Sequence, residues 1–143
     1  MAINQLTING VFEELKSVRD FVSQHTNKIF SQSEKDLIIL AVDEVCANFI
    51  RHSKSTNVYP ITLIISDNEY NRVTFIIKGV GSQFDYKEYK EPKISEVIEK
   101  KRKGGMGLIL VRRIMDSVQF KTIDNTIECT LMKYSSLNEK DLS

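Results

Sequence analysis

Ile61-Thr62-Leu63-Ile64-Ile65 and Val73-Thr74-Phe75-Ile76-Ile77, separated by the polar stretch Asp67-Asn68-Glu69-Tyr70-Asn71, decide the fold. Both apolar runs are rich in β-branched residues, whose stiff side chains suit a pleated surface, and the stretch between them has the character of a hairpin loop. Two strands joined by so short a loop run antiparallel, because a parallel pair needs a crossover of a dozen or more residues. A second pair of the same kind spans Val118 to Thr122 and Thr126 to Met132. Consecutive hairpins exclude an all-parallel, doubly wound sheet.

Upstream of the first hairpin, Ile3 to Ile8 alternates apolar and polar residues, a weak strand signal before the Asn9-Gly10 turn. From Val11 to about Ile29 the apolar residues Val11, Leu15, Val18 and Val22 recur at helical spacing, with Phe12, Phe21 and Ile29 widening the stripe. Ser31 to Ser33 offers a cap for a second helix, which carries Leu37, Leu40, Ala41, Val45 and Phe49 and stops near Ser53. Ser53 to Asn57 reads as a loop. Between the hairpins, Lys78 to Lys103 is charged and glycine-containing, with Glu91-Pro92 inside it and a short helix expected around Ile94 to Ile98. Gly104-Gly105-Met106-Gly107 then opens a third amphipathic helix, Leu108 to Met115. The order predicts an α+β fold in one domain, residues 1–143: a two-layer α/β sandwich with a mixed, mostly antiparallel sheet and its helices on one face.

Composition narrows the function classes. A chain of 143 residues, 41% hydrophobic and 27% charged, can bury a core without staples, and wholesale disorder is excluded. The net charge of +1 gives no global field to draw in DNA or an anionic membrane. The local basic run Lys100-Lys101-Arg102-Lys103 adjoins the glycines and could meet a triphosphate. With Glu91, Glu96 and Glu99 nearby it reads better as a solvated loop. Cys46 and Cys129 lie in apolar segments outside any metal-binding spacing and read as reduced core thiols. MAINQLTING lacks the pattern of a signal peptide, and no apolar run approaches the ~18–20 residues of a membrane helix. These features predict a cytoplasmic chain, with no membrane and no direct nucleic-acid contact.

Three stretches can carry chemistry. In Asp43-Glu44-Val45-Cys46-Ala47-Asn48-Phe49-Ile50-Arg51-His52, Glu44 and Asn48 are four apart and project from one helix face. A carboxylate can take a proton from an attacking group, and an amide oxygen is a hard ligand for Mg²⁺. Alone, such a pair is as readily two polar residues on a solvated face. In Lys78-Gly79-Val80-Gly81-Ser82-Gln83-Phe84-Asp85, Gly79 and Gly81 let backbone approach a ligand or simply end a strand. As a dinucleotide fingerprint it fails, for no third glycine follows and no helix opens there. Gly104-Gly105-Met106-Gly107-Leu108 stands at a helix start, where N–H groups and the helix dipole make a phosphate cradle. It is not a P-loop, since no Lys-Ser or Lys-Thr pair follows, and a tight loop-to-helix turn is the plainer reading.

Together these stretches resemble the GHKL ATPase domain and, within it, the small anti-sigma-factor serine kinases of bacterial partner-switching systems. The resemblance covers nearly the whole chain: Glu-x-x-x-Asn on a helix, a hairpin, a glycine turn ending Phe84-Asp85, a charged lid over residues 86–103, and Gly-Gly-Met-Gly-Leu. That last motif runs into Val111-Arg112-Arg113-Ile114-Met115-Asp116, which is similar to the same subgroup. The resemblance implies that Asn48 coordinates Mg²⁺ bridging the phosphates of ATP and that Glu44 acts as general base. It implies that Gly104, Gly105 and Gly107 line the phosphate site and that Met106 and Leu108 support the lid and base pocket. Gly79 and Gly81 fall in the nucleotide-binding turn, and His52 matches a histidine common after the asparagine, with packing or capping as its other role. Thr126 sits where the family often has a Gly-Thr pair near the adenine, with Asn125 in place of that glycine.

The chain departs from the pattern at Gly79, where the family's turn begins with an aspartate that accepts from the adenine amino group. Loss of a charged acceptor implies ~1.5–3 kcal/mol weaker adenine selection, about tenfold to more than a hundredfold in affinity. Lys78 cannot replace it, because an ammonium only donates. The resemblance implies an ATP-dependent serine/threonine protein kinase that acts on an anti-sigma-factor antagonist and sequesters a sigma factor; a homodimer is a further expectation. The alternative is a degenerate module that keeps the fold and regulates by binding. A detached ATP-binding domain of a two-component histidine kinase ranks last, since no phosphoacceptor helix precedes the motifs.

Overall fold

The computed structural model describes residues 2–51, 58–68, 71–80 and 107–135. Strand β1, Ala2–Asn9, leads through a 3-10 turn at Phe12–Glu14 into helix α1, Leu15–Thr26, and helix α2, Gln32–Arg51. Strands β2, Pro60–Asn68, and β3, Arg72–Val80, form the first hairpin. Helix α3, Gly107–Ile114, precedes the second hairpin of β4, Ser117–Ile123, and β5, Thr126–Tyr134. The single helix expected from Val11 to Ile29 is thus a 3-10 turn followed by a shorter α-helix. The short helix expected around Ile94 to Ile98 lies outside the described residues, as does the lid.

The five strands form one sheet in the order β1-β2-β3-β5-β4. Every pairing among the described residues is antiparallel, so the mostly antiparallel sheet expected from the hairpins contains no parallel pair there. Register places Leu6, Leu63, Ile77, Cys129 and Phe120 in one row across all five strands. This row faces the helices, which add Val18, Val22, Ile38, Val42, Val45 and Val111 to the same core. The next row, Thr7, Thr62, Lys78, Glu128 and Lys121, lies on the opposite face and is polar throughout. There Lys78 Nζ pairs with Glu128 Oε1 at 3.3 Å. The period of two along β3 therefore sends Lys78 away from the helices and Gly79 toward them.

Helix α2 starts at a cap the sequence announces. The Glu34 N–H donates to Ser31 Oγ at 3.3 Å, and the Ser31 hydroxyl donates to Glu34 Oε1 at 3.2 Å. This reciprocal Ser-x-x-Glu arrangement is a variant of the capping box. The far end of α3 is fixed to β5 through Asp116, whose N–H donates to the Met132 carbonyl at 2.9 Å and whose Oδ2 accepts from the Tyr134 N–H at 2.7 Å. Both helices that carry candidate residues are thereby held at defined ends.

Candidate functional site

The interior of α2 is apolar on one side and polar on another, and Glu44, Asn48 and Arg51 share the second. Their spacing of four and three residues puts them on successive turns of one face. Arg51, the last residue of α2, donates from Nη2 to Asn48 Oδ1 at 2.8 Å. The same Nη2 lies 3.5 Å from Glu44 Oε2. The guanidinium thus spans the carboxylate and the amide oxygen.

The start of α3 closes on this face. A Cβ built on Gly107 would stand 2.3 Å from Glu44 Oε2 and 3.3 Å from Asn48 Nδ2. No side chain fits that gap unless Glu44 moves, so glycine at 107 is what lets the helix start approach the two polar groups. Asn48 is 7% exposed, and its Nδ2 is buried with no hydrogen-bond partner. A buried donor left unpaired costs about 1–3 kcal/mol, so it marks a place built for an acceptor. The first N–H groups of α3 and its dipole lie at the same place, and both favour negative charge.

Phe49, beside Asn48, turns the opposite way into the core and is 4% exposed. Its ring meets Gly79 of β3, where a built Cβ would lie 2.8 Å from Phe49 Cδ1. Gly79 pairs with Ile127, and Val80 pairs with Thr126 at the start of β5. Leu108, half-buried, packs against the core at the start of α3.

The structure therefore joins Glu44, Asn48 and Gly107 directly and ties Gly79 to α2 through Phe49. Thr126 sits one ladder step beyond Gly79. His52, Gly81, Gly104, Gly105 and Met106 lie outside the described residues. Sequence reasoning missed Arg51, although its position three residues after Asn48 and seven after Glu44 was a readable signal. It also missed Phe49, whose partner lies thirty positions away on another element and leaves no local trace.

The donor set discriminates between ligands. Magnesium demands a near-octahedral shell of hard oxygens. Asn48 Oδ1 is already engaged by Arg51, and the amide atom that faces Gly107 is a donor, so the side chains as arranged do not fit Mg²⁺ on Asn48. They fit an anion. Among the described residues no group of three His, Cys, Asp or Glu side chains is placed to hold a metal, and no helix is long and apolar enough to cross a membrane. Both cysteines are free and buried. Burial raises the Cys46 thiol far above its ordinary range, with Asp43 and Cys129 adding to the effect. Burial also pushes Cys129 up to about 12, slightly opposed by Arg112.

The chain is 27% identical over 143 residues to the serine-protein kinase RsbW of Halalkalibacterium halodurans, covering 96% of this chain and 86% of that protein. It is 27% identical over 94 residues to the proteins of the same name from Bacillus thuringiensis and Bacillus cereus. Those matches cover 63% of this chain and 58% of each relative. Residues 11–134 match the model of the histidine kinase-like ATPase domain. With the antiparallel sheet, the helix pair and the glycine at the start of α3 in place, the chain belongs to the histidine kinase-like ATPase domain family.

Proposed function

We propose that the chain is an ATP-binding regulator of the anti-sigma-factor type and that it acts as a serine/threonine protein kinase on an anti-sigma-factor antagonist. The observation that carries this reading is the convergence of Glu44 Oε2 and Asn48 Nδ2 on Gly107, which sets a carboxylate and an unpaired donor at a helix start. Family membership and the likeness to proteins named serine-protein kinase RsbW support it.

In this reading the phosphates lie at the start of α3, where its N–H groups and Asn48 Nδ2 donate to their oxygens. The serine or threonine hydroxyl of the substrate attacks the γ-phosphorus while the bond to the departing ADP oxygen breaks. Glu44 accepts the hydroxyl proton, and Arg51 Nη2 stands 3.5 Å from its Oε2. Gly104, Gly105, Met106, Leu108, His52, Gly81 and Thr126 complete the nucleotide site by resemblance. A sigma factor is the second expected partner, and one domain over residues 1–143, homodimerisation and a cytoplasmic location belong to the same proposal.

The test is calorimetric titration with ATP, followed by incubation with γ-labelled ATP and a purified anti-sigma-factor antagonist. Saturable binding and label on the antagonist are expected. Weak or absent ATP binding would favour the second reading, a degenerate module that keeps the fold and regulates by binding its partner. The Phe49–Gly79 contact supports that reading: by resemblance position 79 is where the family carries its adenine-binding aspartate, and the Phe49 ring fills the space a side chain there would take.

A further inference from the structure

We infer that this site takes the phosphates of a nucleotide without a divalent cation, with the Arg51 guanidinium supplying the positive charge in cis. The inference rests on the ATP-binding reading above and says how that binding is achieved. Three observations carry it. Arg51 Nη2 donates to Asn48 Oδ1 at 2.8 Å, so the one amide atom able to ligate a metal is already held. Asn48 Nδ2, the atom left over, is buried and unpaired and faces Gly107. It can donate to a phosphate oxygen and would repel a cation. Arg51 Nη2 also lies 3.5 Å from Glu44 Oε2, which offsets the carboxylate charge that would otherwise oppose a triphosphate.

The three groups work as one switch of polarity. If Arg51 left Asn48, the amide could rotate by half a turn and present its oxygen to the start of α3, the orientation a metal needs. While Arg51 stays, the amide is fixed with its donor inward. A guanidinium is always charged and presents several N–H donors in a fixed fork, so its remaining donors can reach an anion while one holds Asn48. Its side chain is 41% exposed at the end of α2, which leaves it open to a ligand and makes its replacement mild for folding.

The experiment is calorimetric titration of ATP into the full chain, once in EDTA and once in excess Mg²⁺, for wild type, Arg51→Met and Arg51→Lys. Thermal melts of each variant establish that it is folded. The expected result is wild-type affinity in EDTA within about threefold of that in Mg²⁺. Arg51→Met should lose about tenfold or more in EDTA, the scale of one charge-assisted hydrogen bond, and recover part of it in Mg²⁺. Arg51→Lys should fall between the two. Wild-type binding that requires Mg²⁺, or Arg51→Met binding as tightly as wild type in EDTA, would overturn the inference and leave the ATP-binding reading standing. No ATP binding under either condition would overturn both.

Discussion

Phe49 presses its ring onto Gly79: a Cβ at position 79 would lie 2.8, 3.1 and 3.2 Å from Phe49 Cδ1, Cγ and Cε1. These two residues, one on α2 and one on β3, form a size-matched pair. The absent acceptor at position 79 is thus tied to a large ring at position 49, and restoring one without shrinking the other forces the core apart.

Gly79→Asp alone should therefore destabilise the chain by about 1–3 kcal/mol through overpacking. Phe49→Ala alone should cost about 3–5 kcal/mol by opening a cavity. The double variant should be more stable than the sum of the two, with a coupling of about 1 kcal/mol or more, and only it should gain ATP affinity. Denaturant melts of the four proteins measure the cycle. Additive effects would show that the two sites are independent.

Gly107→Ala separates folding from function. Alanine is a better helix former than glycine, so stability should change by no more than about 1 kcal/mol. Glu44, whose side chain is 27% exposed, can swing away. Its carboxylate would then leave the start of α3, and phosphoryl transfer should fall at least about tenfold. Matched melting curves and transfer rates check both halves.

Glu44→Gln keeps the shape of the side chain and removes its basicity. ATP affinity should stay within a few-fold, while transfer to the hydroxyl should drop by about 10²–10⁴, the usual contribution of a positioned base. Single-turnover labelling of the antagonist reads this directly. An unchanged rate would move the proton acceptor elsewhere.

The thiols predict a pH limit. Cys129 is pushed up to about 12 and Cys46 is raised further, against an ordinary value of 9.0 for both. Folded pKa values above unfolded ones mean that the unfolded chain loses protons first. Stability is then full below about pH 9 and falls above it, toward about 1.4 kcal/mol per pH unit for each thiol. Denaturant midpoints between pH 8 and 11 should decline accordingly, and neither thiol should react with a maleimide until the protein unfolds.

Much of this molecule was legible from local pattern. The β-branched runs around Ile64 and Ile76 announced the first hairpin, the serines from Ser31 to Ser33 announced the start of α2, and the glycines before Leu108 announced α3. Helical spacing put Glu44 and Asn48 on one face, and only the family resemblance gave that pair a role. What stayed hidden depended on contacts between distant elements. The Phe49–Gly79 contact joins a helix to a strand, and nothing near either residue signals it. The orientation of the Asn48 amide depends on the rotamer of Arg51, which spacing suggests but does not determine. The 3-10 turn at Phe12–Glu14 was hidden too, because its apolar spacing merges with that of α1.

The central claim is that nucleotide binds where α2 meets the start of α3. An amide NMR titration of the labelled chain with ATP tests it most directly. The account predicts that the largest shifts fall on Glu44, Asn48, Arg51, Gly107 and Leu108. Shifts confined instead to the cleft at the other end of the molecule, around Asn4, His25, Lys28 and Asp67, or no shifts at saturating ATP, would contradict it.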